Sequence, residues 1–328
     1  MRSLTVTEND SGQRLDKFVL KTTRGMPASL LYKYIRTKRI KVNGRRANPS
    51  LVLAPGDVVE LYISDEFFGA EAGAFELSSI KPHLSVVYED ENIIICDKPE
   101  GVLVHSGDIG GEASSDSNTL IGHIKAYLYQ KGEYDPAKEN SFAPALCNRI
   151  DRNTRGLVIS AKNAAALREM NRLIRDGFLS KYYLTVVHGI PTPREGTLKG
   201  FLRKDAKANT VKIFDHPVPG GRTAITKYRV LKTTVSETGP LSLLEVELVT
   251  GRTHQIRAHM ASAGWPLLGE GKYGKNAADR AAGYKNQALM AYKIVFSHNI
   301  DEASPLSYLR GRVISLSPTK APFMREFR

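Results

Sequence analysis

Residues 148–157 read NRIDRNTRGL and place a single carboxylate, Asp151, among three arginines just before an apolar run. Arg149, Arg152 and Arg155 all lie within four residues of Asp151, and nearby positive charge favours the ionised form of a carboxyl group. An ionised aspartate among phosphate-binding cations is equipped to act as a nucleophile on a nucleic acid. From these ten residues alone, a structural cluster of surface ion pairs is the commoner explanation.

The composition is that of a globular protein with an excess of basic residues. The 328 residues are 41% hydrophobic and 25% charged, and Lys plus Arg outnumber Asp plus Glu by 47 to 34, giving a net charge of +13. This balance favours a polyanionic partner, of which nucleic acid is the commonest. No apolar stretch approaches the roughly 18 residues of a membrane span. Two cysteines and no apolar leader predict a cytoplasmic protein, and no obligatory protein partner is evident.

The first 64 residues, called the N-terminal unit below, are predicted to form a compact basic domain. Apolar residues recur at helical spacing from Leu15 to Val19, and a second helix is predicted to begin at Ser29 as its N-cap. A strand at 40–42 then enters an Asn43-Gly44 turn, which predicts a hairpin.

One sign of charge dominates the middle of this unit. Seven basic residues and no acidic one lie between positions 33 and 46, and we call them the basic face: Lys33, Arg36, Lys38, Arg39, Lys41, Arg45 and Arg46. Solvated protein surfaces normally mix both signs. The pattern therefore predicts a surface that binds the backbone of RNA or DNA.

The N-terminal unit resembles the small RNA-binding module known as the S-four or αL domain. The resemblance rests on QRLDKF at 13–18, RIKVNG at 39–44 and LAPGDVVEL at 53–61. Residues 65–83 collect glycine, alanine, serine and acidic residues, which is typical of a linker. A second domain is predicted for residues 84–328, called the second unit below.

The second unit combines many predicted strands with few helices. This mixture indicates an α+β fold with a mixed, mainly antiparallel central sheet flanked by helices and loops. Residues 107–118 and 131–141 are predicted to be polar loops. Strands are predicted at 86–88, 93–96, 101–105, 181–187 and 244–249, and helices around 167–174, closed by Gly177, and at 252–260.

Patterns that would indicate a cofactor or a metal fail on inspection. Residues 264–270 have the glycine spacing of a phosphate loop, but Glu270 stands where the phosphates require a lysine. His254 and His259 are five residues apart, not the four that align two zinc ligands on one helix. We therefore expect neither a cofactor nor a metal.

Four stretches, in order, resemble the motifs of RNA pseudouridine synthases of the RluA type. The Asp151 stretch reads NRIDRNTRG where the family pattern is HRLDxxTSG, so Asn148 replaces a histidine and Arg155 replaces a serine. The resemblance spans residues 84–298, and an N-terminal S-four module is common in the family. The other matching stretches are YEDENI at 88–93 with DKPEG at 97–101, KYYLTVVHG at 181–189 and TGRTHQIRAHM at 250–260.

The resemblance implies catalytic roles for three residues. Asp151 matches the essential aspartate, which attacks either the ribose anomeric carbon or the uracil ring. Tyr183 matches a tyrosine that stacks on the target base and is a candidate for assisting proton removal. Arg257 matches the arginine that pairs with the aspartate. Taken singly, Tyr183 would be an ordinary strand packing residue and Arg257 a helix-surface cation.

The resemblance also implies how the RNA is bound. The target uridine must leave its stack, which costs least in loops and bulges, so loop RNA is the expected substrate. Arg149, Arg152 and Arg155, together with the basic face, are predicted to contact the phosphates. Asn148 is expected to keep a hydrogen bond that positions the loop. Arg155 is expected to change how the protein binds a phosphate or the flipped base.

The leading hypothesis is an isomerase that converts uridine to pseudouridine, in large-subunit ribosomal RNA. Transfer RNA stays open as the substrate. Two other classes remain: a non-catalytic RNA-binding or ribosome-assembly factor, and a nucleoside-cleaving hydrolase, which would also place a carboxylate near an anomeric carbon.

Overall fold

Two sheets with separate apolar cores organise the chain. The structure, a computed structural model, describes residues 1–23, 25–68, 77–105, 116–205, 208, 210–274 and 276–327. Within these ranges no helix is long and apolar enough to cross a membrane.

The N-terminal unit packs two amphipathic helices against a small antiparallel sheet. Leu15 and Phe18 of the first helix and Leu31 and Ile35 of the second are buried in one core, since residues three and four apart share a helix face. The sheet has the order β1-β4-β2-β3. The elements are β1 (Arg2–Thr5), α1 (Leu15–Thr22), α2 (Ala28–Arg36), β2 (Ile40–Val42), β3 (Arg45–Arg46) and β4 (Val58–Leu61).

Two predictions for this unit have different outcomes. The hairpin is confirmed: Asn43 and Gly44 have φ angles of 53° and 74°, the left-handed pair that a two-residue turn between twisted strands requires. The N-cap prediction for Ser29 is wrong, because α2 begins at Ala28 and its N-cap is Pro27, with no side-chain cap. The carbonyl oxygen of Pro27 already accepts hydrogen bonds from Leu30 N and Leu31 N at 3.0 and 3.1 Å, so Ser29 lies inside the first turn.

The second unit is built on an eleven-stranded sheet of order β11-β10-β12-β13-β9-β14-β8-β6-β5, with β15 paired to β14 and β7 to β8. Every pairing is antiparallel except that of β14 with β8, so the predicted α+β class is confirmed. The strands are β5 (Val86–Glu89), β6 (Ile93–Lys98), β7 (Ala145–Leu146), β8 (Arg155–Ala161), β9 (Leu179–His188), β10 (Glu195–Asp205), β11 (Thr210–Phe214), β12 (Arg222–Ser236), β13 (Gly239–Leu248), β14 (Leu289–Phe296) and β15 (Val313–Ser315).

Helices cover both faces of this sheet because alternate strand residues are apolar on each side. The helix α4 packs on one face through Met170 and Leu173. The helices α3 and α5 pack on the other, where Ile124 and Ile256 meet Tyr183 of β9. The helices are α3 (Leu120–Gln130), α4 (Ala164–Arg175), α5 (Gln255–Ser262) and α6 (Ala277–Ala281).

Several sequence predictions for the rest of the chain differ in outcome. Residues 101–105 were expected to form a strand, but they make only an isolated bridge between Leu103 and Thr119. The helix predicted from residue 252 begins at Gln255. Gly177 does close α4, with φ 79° and a hydrogen bond from Phe178 N to Leu173 O. Most of the polar loop predicted at 107–118 and residues 69–76 of the predicted linker lie outside the described residues.

Candidate active site

The loop that carries Asp151 joins β7 to β8 and is held at its start by Asn148. The Oδ1 atom of Asn148 accepts a hydrogen bond from Ile159 N at 2.7 Å, and its Nδ2 donates to Leu157 O at 3.3 Å. The side-chain amide thereby satisfies two backbone groups of β8. The asparagine that departs from the family pattern thus positions the loop, as expected.

A glycine at the end of the loop is required by a close backbone approach. Gly156 has φ 131°, and a Cβ atom there would lie 2.1 Å from the carbonyl oxygen of Ala291 on β14. No side chain fits this parallel contact between β8 and β14. The loop is therefore locked to the centre of the sheet immediately after Asp151.

Lys98 supports the loop from beneath. It is fully buried, and its Nζ donates to the carbonyl oxygens of Pro99, Val102 and Arg152 at 2.8, 2.9 and 2.9 Å. An ammonium group has three donors, and all three are used. Burial lowers the pKa of Lys98 to about 8. The sequence motif at 97–101 contains this lysine, but sequence reasoning assigned it no role.

Asp151 lies at the exposed end of a buried charge triad with Arg257 and Glu270. Arg257 of α5 donates from Nη1 to Asp151 Oδ2 at 2.8 Å, and from Nε and Nη2 to the two Glu270 oxygens at 2.7 Å each. The Glu270 side chain is 1% exposed and that of Asp151 25%. Bidentate pairing fixes the guanidinium plane, so Arg257 presents one N–H to Asp151 in a defined direction.

The triad also sets protonation states. Burial raises the pKa of Glu270, but hydrogen bonds and charge from Arg257 outweigh it and hold that pKa below its ordinary value. Glu270 entered the sequence analysis only as the residue that excluded a phosphate loop. Its partner is 13 positions away, beyond the end of the helix, and no periodicity could connect the two.

Tyr183 projects from β9 onto the face of the sheet that carries α5. It is 4% exposed and lies opposite Val246 on β13 and Ala291 on β14. Burial raises the pKa of its phenol, and the negative charge of Asp151 raises it further. The phenol is therefore protonated at neutral pH.

His254 also faces Asp151, although it was considered only as a metal ligand. Its Nε2 lies 4.0 Å from Asp151 Oδ2, and its Nδ1 is 2.9 Å from the Tyr273 hydroxyl, which accepts from Val211 N at 2.9 Å. The residue has a φ of 51°, a conformation that costs energy for a side chain other than glycine. Burial lowers the pKa of His254 despite the nearby carboxylate.

His259 has different surroundings from His254. Its Nδ1 is 2.7 Å from Thr226 Oγ1, and burial lowers its pKa to about 4. In the part of the chain that the structure describes, no three His, Cys, Asp or Glu side chains are grouped to hold a metal ion.

The three arginines of the Asp151 stretch have distinct surroundings. Arg149 and Arg152 are exposed, and Arg152 Nε donates to Gly101 O at 2.9 Å. Arg155 pairs with both oxygens of the buried Asp97, at 3.2 and 2.8 Å, and also donates to Lys320 O. Its charge therefore serves a buried carboxylate within the protein, which argues against the predicted contact with RNA. The RNA contacts of Arg149 and Arg152 stay predictions.

The basic face lies on the surface of the N-terminal unit. Six of its seven side chains are exposed and Lys41 is half-buried, and none forms an ion pair with another described residue. Arg39 lies 5.4 Å from the Tyr34 ring centroid and Lys41 lies 5.2 Å from that of Tyr62. All seven residues belong to the N-terminal unit, whereas the residues of the triad belong to the second unit.

The family profile for RNA pseudouridylate synthase matches residues 92–262, just over half of the chain, including Asp151, Tyr183 and Arg257. The chain belongs to the RNA pseudouridine synthase family. It is accordingly an isomerase that acts on uridine in RNA. The profile of the S4 domain matches residues 13–59 of the N-terminal unit, which confirms the resemblance drawn from its sequence.

Relatives agree with this assignment, and a solved structure agrees with the fold. An RNA pseudouridine synthase of Mycoplasma pneumoniae is 32% identical over 89% of this chain and 87% of its own length. The ribosomal large subunit pseudouridine synthase C of Buchnera aphidicola is 30% identical over 93% of this chain and 94% of its own. The structure of human RNA pseudouridylate synthase domain containing 1 covers 73% of this chain and 92% of its own with a TM-score of 0.51 at 20% identity, which supports the fold.

Proposed function

We propose that this synthase isomerises a uridine of large-subunit ribosomal RNA, with Asp151 as the nucleophile, and that it works in the cytoplasm. The observation that carries the proposal is the half-buried carboxylate oriented by an arginine that is itself locked to a buried glutamate. The choice of RNA is supported by relatives named ribosomal large subunit pseudouridine synthase C, from Buchnera aphidicola and from Haemophilus species, at 29–30% identity.

The triad suits a carboxylate nucleophile that loses its negative charge during the reaction and then regains it. Arg257 donates a hydrogen bond to Asp151 Oδ2, while Oδ1 accepts none from the described residues, so we assign the attack to Oδ1. When Asp151 becomes an ester its negative charge disappears, yet Arg257 and Glu270 remain a neutral pair. No buried charge is left without a partner in either state, and an unpaired buried charge is what would cost most.

The reaction itself is redox-neutral. The bond from uracil N1 to the ribose anomeric carbon breaks, the bond from C5 to the same carbon forms, C5 loses a proton and N1 gains one. Because the phenol of Tyr183 is protonated at neutral pH, we assign it to contact with the base and to hydrogen-bond donation. Asp151 attacks either the anomeric carbon or the uracil ring.

RNA binding is assigned to the S4 module and to the exposed arginines of the Asp151 loop. Exposed cations release counterions when they meet phosphates, and this release drives binding. A few kcal/mol are needed to flip a base, and less in a loop. A looped segment of the RNA is therefore the proposed target.

Mapping of pseudouridines in cells that lack the protein tests this proposal. Wild type should restore one modified position in large-subunit ribosomal RNA, whereas Asp151→Asn should not, with a rate loss of about four orders of magnitude. If Asp151→Asn restored the modified position, Asp151 would not be the nucleophile. If the deletion leaves every modification unchanged, a non-catalytic binding role is favoured. If the modified position that is lost lies in transfer RNA, transfer RNA is the substrate. Release of free uracil would indicate a hydrolase.

A further inference from the structure

Asp10 is a buried carboxylate at the contact between the two units, far from Asp151 in the sequence. It has no exposed surface and accepts five hydrogen bonds. Two come from Thr7 N and Oγ1, at 3.1 and 2.9 Å, within its own unit. Three come from the second unit: Asn140 Nδ2 at 2.7 Å, Ser141 N at 3.1 Å and Ser141 Oγ at 2.6 Å.

Polar contacts continue on the same side chains of the second unit. Gln13 Nε2 donates to Ser141 Oγ at 2.7 Å, and Asn140 Nδ2 also donates to Thr5 O at 2.9 Å. Asn9 donates to Glu139 Oε1 at 2.9 Å. Residues 5–13 and 139–141 therefore form a continuous polar contact, called the docking seam below.

The docking seam extends to the first turns of α4. Asn9 Oδ1 accepts from Ala164 N at 3.1 Å, so a side chain of one unit caps a helix of the other. Arg168 Nη1 donates to Ser11 O at 3.0 Å. The N-terminal unit is thus held at two places, a loop and a helix N-terminus, which prevents rotation about either one.

The chemistry of the seam fixes orientation more strictly than an apolar contact would. Hydrogen bonds are directional and weaken steeply away from linearity, whereas apolar burial is non-directional. Hydrogen bonds to a charged acceptor are also stronger than those to a neutral one. In another orientation Asp10 would keep only the two donors of Thr7 and lose the three from the second unit, so other orientations are disfavoured as well.

We propose that Asp10 is a positioning residue that holds the S4 module in one orientation relative to Asp151, and thereby selects which uridine of a bound RNA reaches the active site. The inference deepens the proposed function and rests on it. The S4 module contacts the phosphates of the RNA. Because the docking seam holds the module in one orientation, the bound RNA backbone lies at a fixed distance from the carboxylate of Asp151.

A distance measurement without RNA tests the first half. Spin labels at Ser50→Cys and Glu237→Cys, both exposed and one in each unit, should give one narrow distance distribution in wild type. Asp10→Asn should broaden it, because one carboxylate oxygen becomes an NH2 group, which faces either the two donors of Ser141 or the donors of Thr7 and Asn140. Asp57→Asn is the matched control, since among the described residues the Asp57 carboxylate accepts hydrogen bonds only within its own unit, from Ala54 N and Asn43 Nδ2. A distribution as narrow in Asp10→Asn as in wild type would overturn the proposal.

Pseudouridine mapping tests the second half. In deletion cells, Asp10→Asn should lower modification of the wild-type position about tenfold, the equivalent of one bond to a charged group, and should add new modified uridines. Asp57→Asn should restore the wild-type position alone. Broadened distances with unchanged site choice, or simple loss without new sites, would refute selection by Asp10. If wild type itself modifies no RNA, the proposed function fails while the distance result still stands.

Discussion

The Asp151–Arg257–Glu270 triad and the basic face differ in how their charged side chains are paired. In the triad every charge has a partner, and the arginine uses three nitrogens on two carboxylates. On the basic face seven cations of one sign have no ionic partner among the described residues. Pairing and burial fix geometry, which chemistry on one atom requires, whereas unpaired exposed cations favour association with any nearby phosphate.

Removal of the triad's central charge should have the largest effect on stability. Arg257→Met leaves Glu270 buried without a counter-ion, so the free energy of unfolding should fall by about 3–5 kcal/mol, and activity should be lost. Chemical denaturation and a pseudouridine assay measure the two effects.

A double variant separates structure from chemistry within the triad. Arg257→Met combined with Glu270→Met replaces the ion pair by apolar side chains and should recover most of the lost stability without recovering activity. If the double variant is as unstable as Arg257→Met alone, the buried charge of Glu270 is not what destabilises the single variant.

Local patterns were enough to predict much of the fold. The helical spacing from Leu15 to Val19, the Asn43-Gly44 turn and the alternation in β13 are each decided by neighbours within a few residues. Local reasoning was wrong at Ser29, because the helix begins two residues earlier with Pro27 as its N-cap.

The residues that hold the site in place could not be predicted from local patterns, because their partners are distant in sequence. Glu270 is 13 positions from Arg257, Lys98 is 54 from Arg152, and Arg155 is 58 from Asp97. The family pattern indicated Asp151, Tyr183 and Arg257, but only the folded sheet brings Lys98 beneath the loop. The left-handed conformation of His254 likewise has no local signal, since few residues other than glycine adopt it.

Lys98 should make activity and stability respond oppositely to alkaline pH. Burial lowers its folded-state pKa to about 8, below the ordinary 10.5, although Asp151, Glu100 and Asp97 act in the opposite direction. Between these values the unfolded chain binds more protons, so the contribution of Lys98 to the free energy of unfolding rises with pH. Activity should fall above pH 8, because a neutral amine has two N–H donors for three carbonyls.

Lys98→Met is the control for this pH effect, since it keeps the length of the side chain and cannot titrate. The difference in the free energy of unfolding between wild type and Lys98→Met should grow in favour of wild type by about 1–2 kcal/mol from pH 8 to 9.5. A difference that is constant over this range would show that Lys98 keeps its proton throughout.

The basic face should affect binding and leave the chemistry intact. Lys38→Ala with Arg39→Ala removes two unpaired cations, so RNA affinity should fall, and the slope of log affinity against log salt should decrease by about 1.5. Lys227→Ala with Arg229→Ala is the matched control, because these exposed cations are already paired with Glu247 and Glu245. Their removal should change the slope less. Filter binding across a salt series measures both variants, and equal slope changes would show that pairing does not distinguish the two surfaces. The maximal rate at saturating RNA should match wild type in both, because neither pair contacts the triad.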